Sequence, residues 1–245
     1  MPSAPRLLTG TSGYNFPEWK GSFYPPTLSS AKWLEYYAQQ LGTVEINYTF
    51  YRMPSAKTIA GWNAATPEDF IFVVKAPQRI THFARLRNID EPLRLFLETV
   101  GKLHAKLGPV LFQLPPNFKK DIAALGDLLT QFPSHVRCAC EFRHTSWWSD
   151  DVYEMLRTAN AALCVADTEE GTTPFERTAD FGYVRLRDEG YTEDELQGWV
   201  EKLKAPAWAD AFVFFKHEEK GIGPKLAAQF QAIWGMRGGA PEPPP

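Results

Sequence analysis

Eight short apolar segments recur along the chain and are rich in Val, Leu, Ile, Phe or Cys. Most of them mix apolar and polar positions without strict alternation, which is typical of strands that are covered on both faces. The predicted strands are Leu7–Ser12, Thr43–Thr49, Phe70–Ala76, Val110–Leu114, Arg137–Phe142, Ala162–Asp167, Phe181–Arg187 and Ala211–Lys216.

Segments with apolar residues at helical spacing lie between most of these predicted strands. One begins at the capping box formed by Thr192 and Glu195, and the last begins at Gly223 and Pro224. The connection from Thr168 to Asp180 shows no helical period, so we expect an irregular loop there.

Strand and helix therefore alternate about eight times, which predicts a parallel sheet because parallel strands need crossover connections. We expect an α/β fold, a single TIM (β/α)8 barrel with eight parallel strands, over residues 1–237. A doubly wound open sheet is the alternative, but Gly10 to Gly13 lead into a long aromatic loop rather than directly into a helix. Residues 238–245 are rich in Pro and Gly and are expected to form a disordered tail.

Composition and charge restrict the partners and the cellular location that we expect for this protein. A formal net charge of -3 gives no general attraction to nucleic acid or to anionic membranes. No apolar run approaches the roughly 18 residues of a membrane span, and the first residues lack the apolar core of a signal peptide. We expect a cytoplasmic protein with no membrane partner, and the oligomeric state stays open. Cys138, Cys140 and Cys164 lie in apolar runs and are expected to be buried thiols.

Polar side chains stand near the C-terminal ends of seven predicted strands. In a barrel this end carries the active site, and residues two apart on a strand share a face. A buried, unpaired charge costs several kcal/mol, so these groups either form an ion-pair network or contact a ligand. The candidates are Glu45, Asn47, Thr49, Lys75, Gln113, Glu141, Arg143, Asp167, Arg185, Arg187 and Lys216.

Aromatic residues are concentrated in the loops that follow the strands. Tyr14 and Trp19 follow the first strand, Tyr51 follows the second, and His144 and Trp147 follow the fifth. These rings either pack the rim of the barrel or stack on a planar or sugar-like ligand.

The connection after the eighth strand has the features of an anion site. It runs from Lys216 and His217 through Gly221 to Gly223 and Lys225, directly before the last helix. A glycine-flanked turn into a helix N-terminus presents backbone N–H groups to an anion, and barrels often bind phosphate at this place. An ordinary loop with surface lysines is the alternative.

Several motifs together resemble the DUF72, or YecE-like, family of bacterial and archaeal barrels. The motifs are Gly10 to Tyr14, Trp19 with Phe23 to Pro25, Val44 to Asn47, Thr49 to Pro54, Phe72 to Pro77, Ile80 to His82, Leu107 to Pro116, Glu141 to His144 with Ser146 and Trp147, Asp167, and Tyr183 to Leu186. The resemblance spans roughly residues 8–230. It implies a TIM-barrel fold and implies no established activity.

The first functional hypothesis is an enzyme, a hydrolase or phosphodiesterase, that acts on a small anionic or phosphorylated substrate at the barrel mouth. The predicted catalytic residues are Glu45, Lys75, Glu141 and Asp167. The predicted substrate-binding residues are Tyr14, Trp19, Asn47, Tyr51, Gln113, Arg143, His144, Trp147, Arg185 and Lys216.

Other chemistries fit the sequence less well. Glycoside hydrolysis needs two opposed carboxyl groups, but the fourth and seventh strands carry Gln113 and Arg185. Schiff-base chemistry at Lys75 or Lys216 requires a lowered pKa, which nearby acidic residues oppose.

No cofactor is expected, with one alternative. A divalent metal ion held by Glu45, Glu141 and Asp167 is conceivable, whereas the five histidines do not gather as zinc ligands would. The second functional hypothesis is a binding module without turnover, which holds a nucleotide or single-stranded nucleic acid through stacking and basic side chains. The overall acidity weighs against an extended nucleic-acid surface.

Overall fold

The chain folds into a nearly closed barrel of eight parallel strands with helices between them, as the sequence predicts. The structure is a computed structural model that describes residues 4–169, 171–188 and 190–235. The barrel strands are β1 (Arg6–Thr11), β2 (Thr43–Ile46), β3 (Ile71–Lys75), β4 (Leu107–Gln113), β5 (Cys138–Glu141), β6 (Ala162–Thr168), β8 (Phe181–Leu186) and β9 (Asp210–Phe215), and β7 is the short strand Gly171–Thr172. The α-helices are α1 (Trp33–Gln40), α2 (Tyr48–Tyr51), α3 (Ala56–Ala64), α4 (Asp90–Val100), α5 (Ile122–Thr130), α6 (Asp150–Thr158), α7 (Glu193–Lys204) and α8 (Ile222–Gly235).

The strands pair in the order β1-β9-β8-β6-β5-β4-β3-β2, which leaves a seam between β1 and β2. The hydroxyl of Tyr37 from α1 bridges this seam, because it accepts from the Thr11 backbone N–H at 2.9 Å and donates to the Thr43 carbonyl at 3.0 Å. Gly10 permits the close approach of the two strands, since a Cβ atom there would lie 2.1 Å from the Thr43 oxygen. At the seam, hydrogen bonds to the Tyr37 side chain thus take the place of backbone hydrogen bonds between β1 and β2.

Removal of the Tyr37 hydroxyl is expected to weaken the seam. Tyr37→Phe leaves the buried Thr11 N–H and Thr43 carbonyl without that partner, so we expect the free energy of unfolding to fall by about 2 kcal/mol. Urea denaturation measures the change. The matched control is Tyr36→Phe, because the Tyr36 hydroxyl makes no hydrogen bond with the described residues. Equal stability of the two variants would contradict the bridge.

Two apolar layers stabilise the barrel. The outer layer packs the helices against the strands, while a smaller cluster fills the barrel interior. The interior cluster contains Leu8, Val73, Leu111, Ala139, Ala162, Cys164, Ala179, Phe181, Tyr183, Phe212 and Phe214. Large aromatic rings from β8 and β9 therefore close the interior, and the next inward positions toward the C-terminal ends of the strands are free to carry polar groups.

The second predicted strand, Thr43–Thr49, is too long. β2 ends at Ile46 because Asn47 takes a helical backbone conformation and α2 follows at once. Thr49 therefore does not share a strand face with Glu45; its hydroxyl donates to the Ile46 and Lys75 carbonyls at 3.0 and 2.7 Å.

The sequence also led to predictions about one connection, the start of one helix, the cysteines and the C-terminal tail. The connection from Thr168 to Asp180 is not wholly irregular, since β7 pairs antiparallel with β6. The capping box of Thr192 and Glu195 is confirmed at the start of α7. The three cysteines are buried and unbridged, as predicted. The expected tail at 238–245 lies outside the described residues, and none of the described helices combines the length and apolarity needed to cross a bilayer.

Candidate functional site

A layer of five inward polar side chains lies above the aromatic interior at the C-terminal ends of the strands. The layer consists of Glu45 on β2, Lys75 on β3, Gln113 on β4, Glu141 on β5 and Arg185 on β8. All five are buried. Strand alternation places four of them inward, because each of the four lies two residues beyond a member of the interior cluster, such as Val73 below Lys75 and Tyr183 below Arg185. Glu45 is joined to this layer by its bond to Arg185.

Arg185 connects the two buried carboxylates of this layer. Its Nη2 donates to Glu45 Oε1 at 2.9 Å, and its Nη1 donates to Glu141 Oε2 at 2.6 Å. The second oxygen of Glu45 accepts from the Tyr183 hydroxyl at 2.6 Å. The guanidinium is only 2% exposed, so these charge-assisted bonds lie in a poorly screened environment.

Glu141 also contacts the next layer outward. Its Oε1 accepts from Gln113 Nε2 at 2.8 Å and from Arg143 Nε at 3.1 Å, and Arg187 Nη1 lies 3.7 Å away. Burial alone would raise the pKa of this carboxyl, but the positive charges of Arg185 and Arg143 outweigh burial and hold the pKa of Glu141 well below its usual range. Glu141 is therefore ionised at neutral pH.

Lys75 lies beside this network and forms no ion pair with any residue that the structure describes. Its Nζ donates to Gln113 Oε1 at 2.7 Å and stands 4.1 Å from the centre of the Phe50 ring. Burial, and next the positive charge of Arg185, lower the pKa of Lys75 to about 8.

A pocket of about 470 Å³ opens above the polar layer, and its lining is strongly cationic. Lys75, Arg143, Arg185, Arg187 and Lys216 line it, and the acidic side chain among its lining residues is Glu218. Five aromatic residues also line it: Tyr14, Phe16, Tyr48, Tyr51 and Trp62.

Several buried polar atoms around the pocket lack a partner in the described part of the chain. They include the Nε atoms of Arg185 and Arg187, Asn47 Oδ1 and Ser12 Oγ. Burying such groups is costly unless a ligand or water completes their hydrogen bonds. The pocket therefore offers both donors and acceptors that the protein itself leaves unused.

A second pocket of about 670 Å³ lies on the other side of Arg143 and Arg187. Both arginines and Glu141 line it, together with Trp148 and with Thr168, Glu169, Gly171 and Thr172 from β6 and β7. The two arginines consequently form a wall that is shared by both pockets.

The structure brings most of the sequence-predicted site residues to the first pocket. Those in its lining are Tyr14, Asn47, Tyr51, Lys75, Gln113, Arg143, Arg185 and Lys216. Glu45 and Glu141 lie behind this lining and are held by Arg185.

Three predicted ligand contacts are not brought to this pocket. Trp19 is fully buried among aromatic rings and donates to the Glu218 carbonyl at 2.8 Å. Trp147 is also fully buried and stacks on Phe142 with ring centres 4.6 Å apart. His144 caps the following turn through its Nδ1, which accepts from the Ser146 N–H at 3.1 Å. All three side chains organise loops.

The expectation that Asp167 points into the barrel is wrong. Cys164 occupies the interior, so alternation turns Asp167 to the other face of β6, where its carboxylate accepts from the hydroxyls of Thr172 and Tyr191 at 2.5 and 2.7 Å. Asp167 therefore does not meet Glu45 and Glu141 to form a metal site. Within the described ranges no three Asp, Glu, His or Cys side chains are grouped as metal ligands.

Of the residues predicted to form an anion site before the last helix, Lys216 is the one that lines the mouth pocket. Gly221 packs beside Ser22, and Gly223 packs against the His217 carbonyl, so neither lines the mouth pocket. Lys225 lies inside α8 rather than before it. Burial and the charge of Arg187 lower the pKa of Lys216 from its ordinary value.

Sequence reasoning missed several contributors to the site. Tyr183, which fixes Glu45, could have been found because it stands two residues before Arg185 on one strand. Trp62 reaches the pocket from α3, and Phe50 faces Lys75, yet in the sequence both read as ordinary apolar positions.

Comparison with known proteins agrees with the predicted family resemblance. The family model described as "Protein of unknown function DUF72" matches residues 8–245. The chain is 30% identical over 218 residues to the UPF0759 protein YunF of Bacillus subtilis, which covers 82% of this chain and 76% of YunF. It is 32% identical over 146 residues to the UPF0759 protein YecE of Escherichia coli, which covers 56% of this chain and 53% of YecE, so the match spans about half of YecE. The crystal structure of a DUF72 family protein from Thermotoga maritima superposes with a TM-score of 0.78 at 28% identity and covers 93% of this chain and 98% of that one.

Proposed function

The chain belongs to the DUF72 family, and we propose that its barrel mouth binds a small organic anion, such as a carboxylate or phosphate compound. The observation that carries this proposal is the excess of cations in the mouth pocket. Five cationic side chains line it, whereas the buried carboxylates Glu45 and Glu141 are both engaged by Arg185.

The unused hydrogen-bond donors support an anion rather than a neutral ligand. Arg143 uses its Nε for Glu141, and its terminal nitrogens have no hydrogen-bond partner in the described residues. The side chain of Lys216 makes no hydrogen bond or ion pair with those residues, and the buried Nε of Arg187 has no partner among them. Guanidinium groups suit carboxylate and phosphate oxygens because they can donate two parallel hydrogen bonds.

The aromatic part of the pocket wall indicates the chemistry of the non-anionic part of the ligand. A volume of about 470 Å³ is that of a small-molecule site, and it is bounded by the rings of Tyr14, Tyr48, Tyr51 and Trp62. We infer a ligand with one anionic end, held by Arg143, Arg187 and Lys216, and a compact planar or apolar part that faces these rings.

The geometry gives less support to hydrolysis by the two glutamates. Each oxygen of Glu45 and Glu141 already accepts a hydrogen bond from a neighbouring side chain. The low pKa of Glu141 also makes it a weak proton acceptor at neutral pH. A hydrolase or phosphodiesterase therefore remains a prediction that needs turnover to support it.

Anion binding is tested with inorganic phosphate as the probe. At fixed ionic strength we expect calorimetric titration to detect one site, and we expect Arg143→Met and Arg187→Met each to weaken phosphate binding by about 10- to 100-fold. This range follows from the loss of hydrogen bonds to a charged group. Circular dichroism confirms that each variant is folded.

The matched control is Arg94→Met, because Arg94 lies on the exposed face of α4 and pairs there with Glu91 and Glu98. It should bind phosphate as the wild type does. A dissociation constant that neither pocket variant changes would contradict the proposal. Adenosine monophosphate in the same titration addresses the nucleotide-binding alternative: binding much tighter than that of phosphate, and weakened by Tyr51→Ala, would favour it.

A further inference from the structure

We propose that Lys75 is a nucleophile that forms an imine with the carbonyl carbon of a small anionic aldehyde or ketone held in the mouth pocket. This inference rests on the proposed anion pocket, because Arg143, Arg187 and Lys216 would hold the carboxylate or phosphate of such a substrate. The inference assigns a class of reaction to the pocket, in addition to the class of ligand that the pocket binds.

The position of Lys75 is that of a buried amine facing a cavity. It is the last residue of β3, its side chain points inward above Val73, and it is 8% exposed while lining the pocket. In the described part of the chain it makes no ion pair. Its contacts are a neutral amide oxygen of Gln113 and the face of the Phe50 ring.

The absence of a counter-ion has a structural cause. Both carboxylates of the polar layer are within 3 Å of Arg185, at 2.9 Å for Glu45 and 2.6 Å for Glu141. Gln113 stands between Lys75 and Glu141, and its Nε2 donates to the carboxylate at 2.8 Å. This bond fixes the amide so that its oxygen faces the lysine. The objection that acidic neighbours keep such a lysine charged therefore does not hold for Lys75.

The electrostatic surroundings favour the neutral amine that addition to a carbonyl requires. The charged and titratable groups that act on Lys75 are Arg185 from β8, Glu45 from β2, Glu141 and Arg143 at the end of β5, and His82 after β3. Burial and Arg185 prevail and lower the pKa of Lys75 to about 8. At pH 7 roughly one amine in ten is then uncharged, against fewer than about one in a thousand for an ordinary lysine.

The step balances without any oxidant or reductant. The neutral Nζ adds to the carbonyl carbon and forms a C–N bond, and one amine proton passes to the carbonyl oxygen to give a carbinolamine. The C–O bond then breaks, one water leaves with the second amine proton, and a C=N bond joins Lys75 to the substrate. A proton from solvent converts this imine into the cationic, electron-withdrawing form.

The test uses glyoxylate and pyruvate as probes of an anionic aldehyde and an anionic ketone. Full-length protein is incubated with each probe, quenched with sodium borohydride, and examined by intact mass and peptide mapping. We expect one reduced adduct per chain, located on Lys75, and none in Lys75→Met. Lys75→Arg keeps the positive charge and serves if Lys75→Met is poorly folded; it should also give no adduct.

The control is Lys202→Met, which removes another lysine that stands over aromatic rings, on the exposed face of α7. It should keep the full yield of the adduct. With equal short incubations, the rate of adduct formation should rise between about pH 6 and pH 9 with a midpoint near the Lys75 pKa of about 8, whereas surface lysines would react with a midpoint above about pH 10.

The outcomes separate this inference from the proposed anion pocket. Phosphate binding that depends on Arg143 and Arg187, without an adduct on Lys75, would overturn the imine and leave the pocket standing. Adducts scattered over surface lysines, with equal yield in Lys75→Met, would overturn it as well. If the wild-type protein neither binds phosphate nor forms the adduct, both proposals are overturned.

Discussion

Replacement of Arg185 by methionine is expected to lower the free energy of unfolding by about 3–5 kcal/mol, because it leaves two buried carboxylates without their shared cation. Glu45 and Glu141 accept from the two terminal nitrogens of this guanidinium, and all three side chains are almost fully buried. In the variant both carboxylates remain in a poorly screened interior without the guanidinium that lies between them. Urea denaturation at neutral pH measures the change.

Two further variants sharpen this test. Arg94→Met removes an arginine that also pairs with two glutamates, but on an exposed helix face, and should leave stability within experimental error. The triple variant Arg185→Met with Glu45→Gln and Glu141→Gln should recover part of the loss, since it also removes the two buried carboxylates that Arg185→Met leaves without their shared cation. If Arg185→Met were as stable as the wild type, the ion-pair network would not support the barrel mouth.

Trp147→Ala is expected to lower the free energy of unfolding by about 3–5 kcal/mol, because a fully buried ring would be replaced by a cavity. The indole stacks on Phe142, meets Phe118 edge-on at 5.5 Å, and donates to the Phe118 carbonyl at 2.7 Å. The sequence predicts a ligand contact for Trp147, whereas these contacts describe a residue that holds the loop after β5 against the loop after β4.

Trp147→Phe distinguishes the two roles. It keeps most of the ring volume and loses the hydrogen bond, so the loss of stability should be smaller and phosphate affinity should stay unchanged. Chemical denaturation and phosphate titration on the same protein samples provide the comparison. A variant of near wild-type stability that binds phosphate at least tenfold more weakly would instead place the indole in contact with the ligand.

The sequence predicts the polar layer well where strands carry a marker of their inward face. In β8 the inward residues Phe181, Tyr183 and Arg185 alternate with Gly182 and Val184, so the inward set of this strand is readable from spacing. β6 has no such marker. Its run from Ala162 to Ala166 is apolar at every position because both faces are covered, and the inward assignment of Asp167 therefore failed.

Loops and the seam were less predictable for a different reason. The position of Trp19 and Trp147 depends on loop conformations that no periodicity records. Tyr37 reads as one more apolar position on a helix stripe, although its hydroxyl closes the barrel between β1 and β2. Asn47 ends β2 by its backbone conformation, which the apolar pattern of the predicted strand does not indicate.

The central claim, an anion pocket in the barrel mouth, is tested most directly by locating an anion there. Crystals of the wild-type protein soaked in selenate, with diffraction data collected at the selenium edge, would show its position by anomalous scattering. We predict an anomalous peak in the mouth pocket about 4 Å from guanidinium nitrogens of Arg143 and Arg187, the distance at which selenate oxygens accept their hydrogen bonds. Selenate peaks confined to surface lysines and arginines, with none in the mouth, would contradict the claim.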